Sequence, residues 1–146
     1  MNCTIDASVF VAAARDQEAQ HLTSLEFLDQ IQAQGTTVFC PALVLAECAT
    51  AITRSTGDVA LAQELITLIE SLTDLNLISI TLPLARRAAR IAMNQQLRGA
   101  DAIYVAVAEV SGAHLVTWDG EMLARGAGVV PVSTPQAWLE SQTDES

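Results

Sequence analysis

Four acidic side chains stand out in this sequence because each is isolated in an otherwise apolar stretch. They are Asp6, Glu47, Asp101 and Asp119, in the contexts CTIDASVFVAA, PALVLAECATAI, GADAIYVAVAE and HLVTWDGEML. An ionised carboxylate in apolar surroundings is costly unless it is paired with a cation or bound to a metal. The set therefore has either four separate structural explanations or one shared chemical explanation.

Three of these acids have a structural explanation as helix caps. Asp6, Asp101 and Asp119 stand where helices are predicted to begin, and Asp is favoured there because it accepts from free backbone N–H groups. Taken singly, capping is the better explanation for each. Glu47 is different, since it lies mid-helix on an inward-facing stripe and Arg54 is two turns away, roughly 10 Å along the axis.

The joint argument for chemistry is stronger than any single one. Two carboxylates about 5 Å apart, at an effective dielectric constant of about 20, repel each other by roughly 3 kcal/mol. Four acids that meet without a counter-charge would oppose folding or stay partly protonated. A divalent cation removes that conflict, and an all-oxygen site prefers magnesium or manganese to zinc or copper.

The elements that must position these acids alternate short β-branched runs with longer helical patterns. This alternation predicts an α/β fold, a three-layer α/β/α sandwich around a mainly parallel sheet of about five strands. The predicted strands are residues 2–5, 37–40, 77–80, 115–117 and 129–132. The predicted helices are residues 22–34, 41 to about 54, 58–72, 83 to about 96, 99–110 and 135–141, with Pro41 and Pro83 in first turns.

The predicted sheet gathers most of the acids at one edge. In an open parallel sheet, ligands bind outside the carboxyl ends of the strands. Asp6 directly follows the first strand, Asp119 lies just beyond the fourth, and Asp101 is in the first turn of a helix. We therefore expect these three carboxylates at the same edge, and Glu47 can join them from a flanking helix.

Length and composition predict one globular domain spanning residues 1–146, with residues from about 142 to 146 as a frayed acidic tail. No apolar run reaches the roughly 18–20 residues of a membrane span, and the start MNCTID does not resemble a secretory signal. The three cysteines are odd in number and lack CxxC spacing, so we expect buried, reduced thiols in a cytoplasmic protein.

The charge is strongly acidic and every cation is an arginine. A net charge of −10 argues against broad, nonspecific binding to nucleic acid, which depends on basic surface. It leaves room for a local basic strip, since Arg86, Arg87, Arg90 and Arg98 lie close together in sequence.

The acidic contexts, taken together, resemble a known family, the PIN-domain ribonucleases, and especially the VapC-type toxins of bacterial toxin–antitoxin pairs. IDASVFVAA is similar to the first family motif, PALVLAECATAI to the second, RGADAIYVAVAE to the third and LVTWDGEML to the fourth. The resemblance covers nearly the whole chain, and the order and spacing of the motifs agree with it.

The resemblance implies a PIN-like fold and a metal-dependent endoribonuclease that leaves a 5′-phosphate and a 3′-hydroxyl. It implies one or two magnesium or manganese ions per active site. Asp6 and Asp101 are then the principal metal ligands and catalytic residues, and Asp119 and Glu47 complete the site directly or through water. Such a metal lowers the pKa of a bound water and neutralises charge on the phosphate.

Other residues near the motifs have weaker assignments. By the resemblance, Ser8 and Thr117 orient the carboxylates. Arg98 is a candidate contact to substrate phosphate, with a solvated or ion-paired arginine as the equal alternative. Trp118 is a candidate for stacking on a base, although packing is the commoner use of such a residue. Glu121 is a further candidate ligand, but an ordinary acid in a first helical turn is the better interpretation.

The remaining aromatic and imidazole side chains receive no catalytic role. Tyr104 and Trp138 are assigned to the core or to an oligomer contact. His21 and His114 lie in no motif, have no ligand-like spacing to the cysteines, and are not needed for metal-assisted hydrolysis.

The resemblance implies an RNA substrate, a cognate antitoxin, a homodimer and no membrane association. Alternatives within the fold are a housekeeping RNA-processing nuclease and a catalytically silent binding module. A magnesium-dependent phosphatase or phosphoacceptor domain is disfavoured, because Asp6 is followed by Ala7 and Ser8 instead of a DxD pattern and the chain has no lysine.

Overall fold

A computed structural model describes residues 1–144 of the chain. Within this range, strands and helices alternate as the sequence predicts. In chain order they are β1 (Asn2–Ile5), α1 (Ala7–Ala14), α2 (His21–Ala33), β2 (Thr37–Pro41), α3 (Leu43–Thr56), α4 (Val59–Ser71), β3 (Leu75–Ile78), α5 (Leu82–Gln95), α6 (Gly99–Val110), β4 (His114–Val116), α7 (Gly120–Arg125), a 3₁₀ turn (Gly126–Gly128), β5 (Val132–Ser133) and α8 (Pro135–Asp144).

The five strands form one parallel sheet in the order β3-β2-β1-β4-β5. Helices cover the sheet on both faces, which confirms the predicted three-layer α/β/α architecture. The first strand is central, and its register places Ile5 beside Val116 of β4. The backbone N–H of Asp6 then donates to the Val116 carbonyl at 3.1 Å, so the ends of β1 and β4 lie together.

Helix α6 forms the centre of the core and contacts β1, β2 and β4. Seven of its residues are buried, and most of them are alanine or valine, so the helix can approach the sheet closely. Asp101 is the buried acid in its first turn. The core helix therefore delivers a carboxylate to the edge where β1 and β4 end.

The structure corrects several predicted boundaries. Pro41 ends β2 beside Ile78 instead of opening a helix. Proline is tolerated at a strand end, where its missing N–H interrupts no hydrogen bond between strands. Strand β3 is two residues earlier than predicted, since Leu75 is already paired with Val38 and the ladder stops at Ile78. Strand β5 begins only at Val132, because its pairing with β4 starts there, and a 3₁₀ turn over Gly126–Gly128 precedes it.

Two short helices, α1 and α7, have bounds that the sequence did not predict, although their starts at Asp6 and Asp119 were expected. Helix α8 continues through Asp144, three residues beyond the prediction, and the last two residues of the expected tail lie outside the described part of the chain. No helix in residues 1–144 is long and apolar enough to cross a membrane. Cys3, Cys40 and Cys48 are buried and free, as expected.

Candidate metal centre

A cavity of about 340 Å³ opens at the carboxyl ends of β1 and β4. Its lining brings all four isolated acids together from four different parts of the fold. The charged residues that line it are Asp6, Glu47, Asp101, Asp119 and Arg98. The predicted convergence of the acids is therefore confirmed, whereas their chemical roles stay predictions.

Asp6 is held by hydroxyl and amide donors at the start of α1. Its side chain is 5% exposed, and its Oδ2 accepts from the Thr117 hydroxyl at 2.9 Å. The backbone N–H of Ser8 donates to the same oxygen at 3.4 Å, so Asp6 also caps the helix. Asp6 therefore both caps α1 and lies with the other acids at the cavity.

Thr117 and Ser8 connect the ends of the two central strands. The Thr117 hydroxyl accepts from the backbone N–H of Asp119 at 2.9 Å and donates to Oδ2 of Asp6. The Ser8 hydroxyl accepts from the backbone N–H of Trp118 at 3.0 Å and lies 3.4 Å from the Thr117 hydroxyl. One small hydroxyl network therefore sets the relative positions of Asp6 and Asp119.

Asp119 caps α7 and also meets the cavity cation. Its Oδ1 accepts from the backbone N–H groups of Glu121 and Met122 at 2.8 and 3.1 Å. Its Oδ2 accepts from Nη2 of Arg98 at 2.8 Å. Nε of Arg98 donates to Oδ2 of Asp101 at 3.0 Å, so a single guanidinium spans carboxylates of two helices.

Glu47 reaches the cavity from α3 and leaves a buried oxygen without a hydrogen bond. Its Oε1 and the hydroxyl of Tyr104 are both buried and neither has a partner of hydrogen-bond geometry within the described residues. The two groups nevertheless interact, and the Tyr104 hydroxyl favours the ionised form of Glu47. Because this oxygen is buried without a hydrogen bond of good geometry, it is suited to a ligand.

Burial dominates the electrostatics of the cluster. Desolvation raises the pKa of Asp6, Glu47 and Asp101 above the ordinary range of a carboxyl group. Hydrogen bonds from Ser8 and Thr117 oppose the rise in the pKa of Asp6. Mutual repulsion adds to it, because each of these three acids has another acid of the cluster as a neighbour.

The donor set fits a hard divalent cation. It consists of carboxylate oxygens around one cavity, including Oε1 of Glu47, and the described lining residues include no cysteine or histidine. No group of three acidic, histidine or cysteine side chains in residues 1–144 is drawn together as a finished metal site. The bridge through Arg98 explains part of this, since Asp101 and Asp119 are turned toward the guanidinium.

The weaker sequence assignments separate clearly. Trp118 is half-buried, its indole N–H donates to the Ser24 hydroxyl at 2.9 Å, and it does not line the cavity. The structure therefore supports packing for Trp118, and stacking on a base stays a prediction. Glu121 is 52% exposed and its carboxylate lies 3.9 Å from Nε of Arg98, a loose ion pair at the rim.

The residues expected to have no catalytic role lie away from the cavity. Nδ1 of His21 is 2.9 Å from the carbonyl of Ala12, and Nε2 of His114 is 2.8 Å from the hydroxyl of Ser133. Trp138 is buried in edge-to-face contact with His114 and Phe27. Trp138 is thus a core residue, one of the two roles predicted for it.

Sequence reasoning missed two features of the site. It considered Arg98 as a contact to substrate or as an ion-paired arginine, but not as a bridge between Asp101 and Asp119. The three-residue spacing of Arg98 and Asp101 was a signal for half of this bridge. It also assigned Tyr104 to the core or to an oligomer contact, of which the core is correct, without noticing that a position three residues after Asp101 lies on the same helix face.

Comparisons with known proteins identify the family and the fold of the chain. The family model described as PIN domain matches residues 3–128. No curated protein matches the chain by sequence. Several solved structures share its fold.

The VapC20 toxin of Mycobacterium tuberculosis, which cleaves the sarcin–ricin loop, superimposes with a TM-score of 0.71 at 23% identity over 88% of this chain and 96% of that one. VapBC2 of Rickettsia felis, bound to a DNA fragment from its promoter, has a TM-score of 0.70 at 14% identity, over 92% and 98% of the two chains. FitAcB of Neisseria gonorrhoeae has a TM-score of 0.67 at 19% identity, over 92% and 98%.

Proposed function

The chain belongs to the PIN domain family, and from this premise we propose that it is a metal-dependent endoribonuclease, the toxin of a VapBC-type toxin–antitoxin pair. The observation that carries the proposal is the convergence of four carboxylates, from four separate elements, on one cavity at the carboxyl edge of a parallel sheet. The VapC and VapBC structures that share the fold support the toxin assignment.

Magnesium or manganese, when bound, would supply the charge that activates a water and neutralises a phosphodiester. Asp6 and Asp101, the two most buried acids of the cluster, are the principal ligands in this proposal. Asp119 and Glu47 complete the ligand set, and Thr117 and Ser8 hold Asp6 and Asp119 in place through their hydroxyl groups.

RNA binding by so acidic a chain requires local cations. Arg86 and Arg90 are exposed on α5 and lie four residues apart, hence on one helix face, while Arg98 reaches the cavity itself. These three side chains support substrate contact through a few arginines, with the bound metal supplying the charge at the scissile phosphate. Such a contact is strong per group, because a guanidinium donates to phosphate in a bidentate way.

An antitoxin partner is supported by the relatives and by the surface of the chain. A toxin–antitoxin complex from Klebsiella pneumoniae shares the fold, with a TM-score of 0.64 at 18% identity over 91% of this chain and 97% of that one. In this chain an apolar cavity of about 520 Å³ is lined by residues of α1, α2 and α4, including the partly exposed Leu25 and Leu68. We propose that a segment of the antitoxin covers this surface and that the toxin itself is a homodimer.

The test is cleavage of total RNA with magnesium, with manganese and with EDTA. Wild type should give metal-dependent products with mapped 5′-phosphate ends, and Asp101→Asn should reduce cleavage more than about 100-fold, since a ligand contributes at least as much as the groups that orient it. The matched control is Asp58→Asn, which makes the same change at an exposed cap of α4, where asparagine caps equally well.

Four outcomes would contradict the proposal in different ways. Equal cleavage by wild type and Asp101→Asn would refute the assignment of the site. Cleavage that persists in EDTA would refute the metal. No product from any RNA would favour a silent binding module, and active protein whose induced expression leaves cell growth unchanged would favour a housekeeping nuclease over a toxin.

A further inference from the structure

We propose that Arg98 is a built-in cation that competes with the metal for the carboxylates of Asp101 and Asp119. The inference rests on the metal site of the proposed function and adds a regulatory element to it. In the metal-free protein the guanidinium neutralises part of the cluster. Metal binding and the Arg98 bridge then oppose each other.

The geometry of the bridge is the first argument. Nε of Arg98 lies 3.0 Å from Oδ2 of Asp101, and Nη2 lies 2.8 Å from Oδ2 of Asp119. These acids belong to different helices and are proposed ligands of one metal. A planar guanidinium suits such a bridge, because its N–H groups point outward in a fixed fork.

The charge balance of the cavity is the second argument. Four carboxylates line the cavity, and among its described lining residues Arg98 supplies the positive charge. A divalent cation bound to Asp101 and Asp119 would stand next to this guanidinium, and the two cations would repel each other. Either cation alone relieves the repulsion among the acids, so each is expected to weaken the binding of the other.

The exposure of Arg98 makes the bridge easy to break. Its side chain is 65% exposed, and ion pairs of such exposed groups are weak because water screens the two charges. Arg98 is the residue before the first turn of α6 and has extended backbone angles, so its side chain can turn to solvent while the helix stays in place. The released guanidinium then stands at the cavity mouth, available to a substrate phosphate.

The same contacts predict what the bridge does without metal. By joining Asp101 on α6 to Asp119 on α7, it draws together two acids that would otherwise repel each other. Such coupling is reciprocal. If metal binding weakens the bridge by a given factor, the bridge weakens metal binding by the same factor.

The test is isothermal titration calorimetry, in which MnCl₂ alone is titrated into the protein and the Kd for Mn²⁺ is measured. Arg98→Gln should bind Mn²⁺ about five- to tenfold more tightly than wild type, at the lower end of common coupling strengths because Arg98 is exposed. Arg98→Lys keeps the charge but not the fork, so its Kd should lie between those two.

The matched control is Arg87→Gln, which breaks an arginine–acid pair between α5 and α6 outside the cavity, and its Kd should equal that of wild type within about twofold. Melting curves provide a second measurement. The rise in Tm from EDTA to saturating Mn²⁺ should be larger for Arg98→Gln than for wild type or Arg87→Gln.

The outcomes separate this inference from the proposed function. Unchanged or weaker Mn²⁺ binding by both Arg98 variants would overturn the competition while leaving the metal site intact; weaker binding would identify Arg98 as a group that positions the acids. If neither wild type nor any variant binds Mn²⁺, the metal site itself is refuted, and the competition with it. Should Arg98→Gln fail to fold, the Kd of Arg98→Lys decides.

Discussion

Thr117 offers the sharpest test of how the site is held together. Its buried hydroxyl donates to Oδ2 of Asp6 and accepts from the backbone N–H of Asp119, both at 2.9 Å. Thr117→Val keeps the shape of the side chain and removes both interactions. Thr117→Ser keeps the hydroxyl and removes only a buried methyl group.

The expected magnitudes differ enough to be measured. A hydrogen bond to an ionised carboxylate contributes about 1.5–3 kcal/mol, and an amide left without its acceptor adds about 1 kcal/mol. Thr117→Val should therefore lower the free energy of unfolding by about 3 kcal/mol, which corresponds to a fall in Tm of roughly 6–12 °C for a chain of this size. Thr117→Ser should lose about 1 kcal/mol, or roughly 2–4 °C.

Metal affinity provides a second readout of the same hydroxyl. Thr117→Val should weaken Mn²⁺ binding about 10- to 100-fold, the usual effect of removing a group that orients a metal ligand. Thr117→Ser should bind within a few-fold of wild type. Equal losses of Tm in the two variants, or wild-type Mn²⁺ affinity in Thr117→Val, would refute the orienting role of the hydroxyl.

Two further predictions concern the cost of burying the acids. Burial raises the pKa of Asp6, Glu47 and Asp101, so the folded chain keeps protons on these groups at pH values where the unfolded chain has lost them. The free energy of unfolding of the metal-free protein should therefore fall as pH rises from about 4 through the raised pKa values. The rise in Tm on adding Mn²⁺ should accordingly grow between about pH 4 and pH 8, and a pH-independent rise would contradict this. Asp6→Asn should raise the Tm in EDTA at neutral pH by a few degrees, because it removes a buried charge and keeps an acceptor for Thr117, while cleavage of RNA is lost. A lower Tm in EDTA would show that the charge of Asp6 stabilises the fold.

Much of the site followed from the sequence because topology and periodicity carry it. A parallel sheet brings the ends of its strands to one edge, so the acids after β1 and β4 had to approach each other. Glu47 was recognisable because the helical period placed it on the inward face, where a structural explanation was lacking. Both inferences depend on the backbone alone.

The features that the sequence did not predict depend on tertiary contacts or on side-chain conformation. The positions of β3 and β5 are set by pairing with β2 and β4, which the apolar runs 77–80 and 129–132 do not reveal. The Arg98 bridge depends on the rotamer of a long side chain between two helices, and nothing in the spacing of Arg98 and Asp119 indicates it. The approach of Tyr104 on α6 to Glu47 on α3 likewise depends on the tertiary fold.

The central place of β1 determines when the cluster of carboxylates can form during synthesis. Asp6 precedes the other three acids in the chain, yet β1 needs both β2 and β4 as neighbours, and β4 begins only at His114. Until then one edge of the central strand stays open, and Asp101 and Asp119 are absent or unplaced. A nascent chain of this protein therefore carries no assembled cluster of carboxylates, and the cluster forms only when nearly the whole domain has emerged and closed around β1.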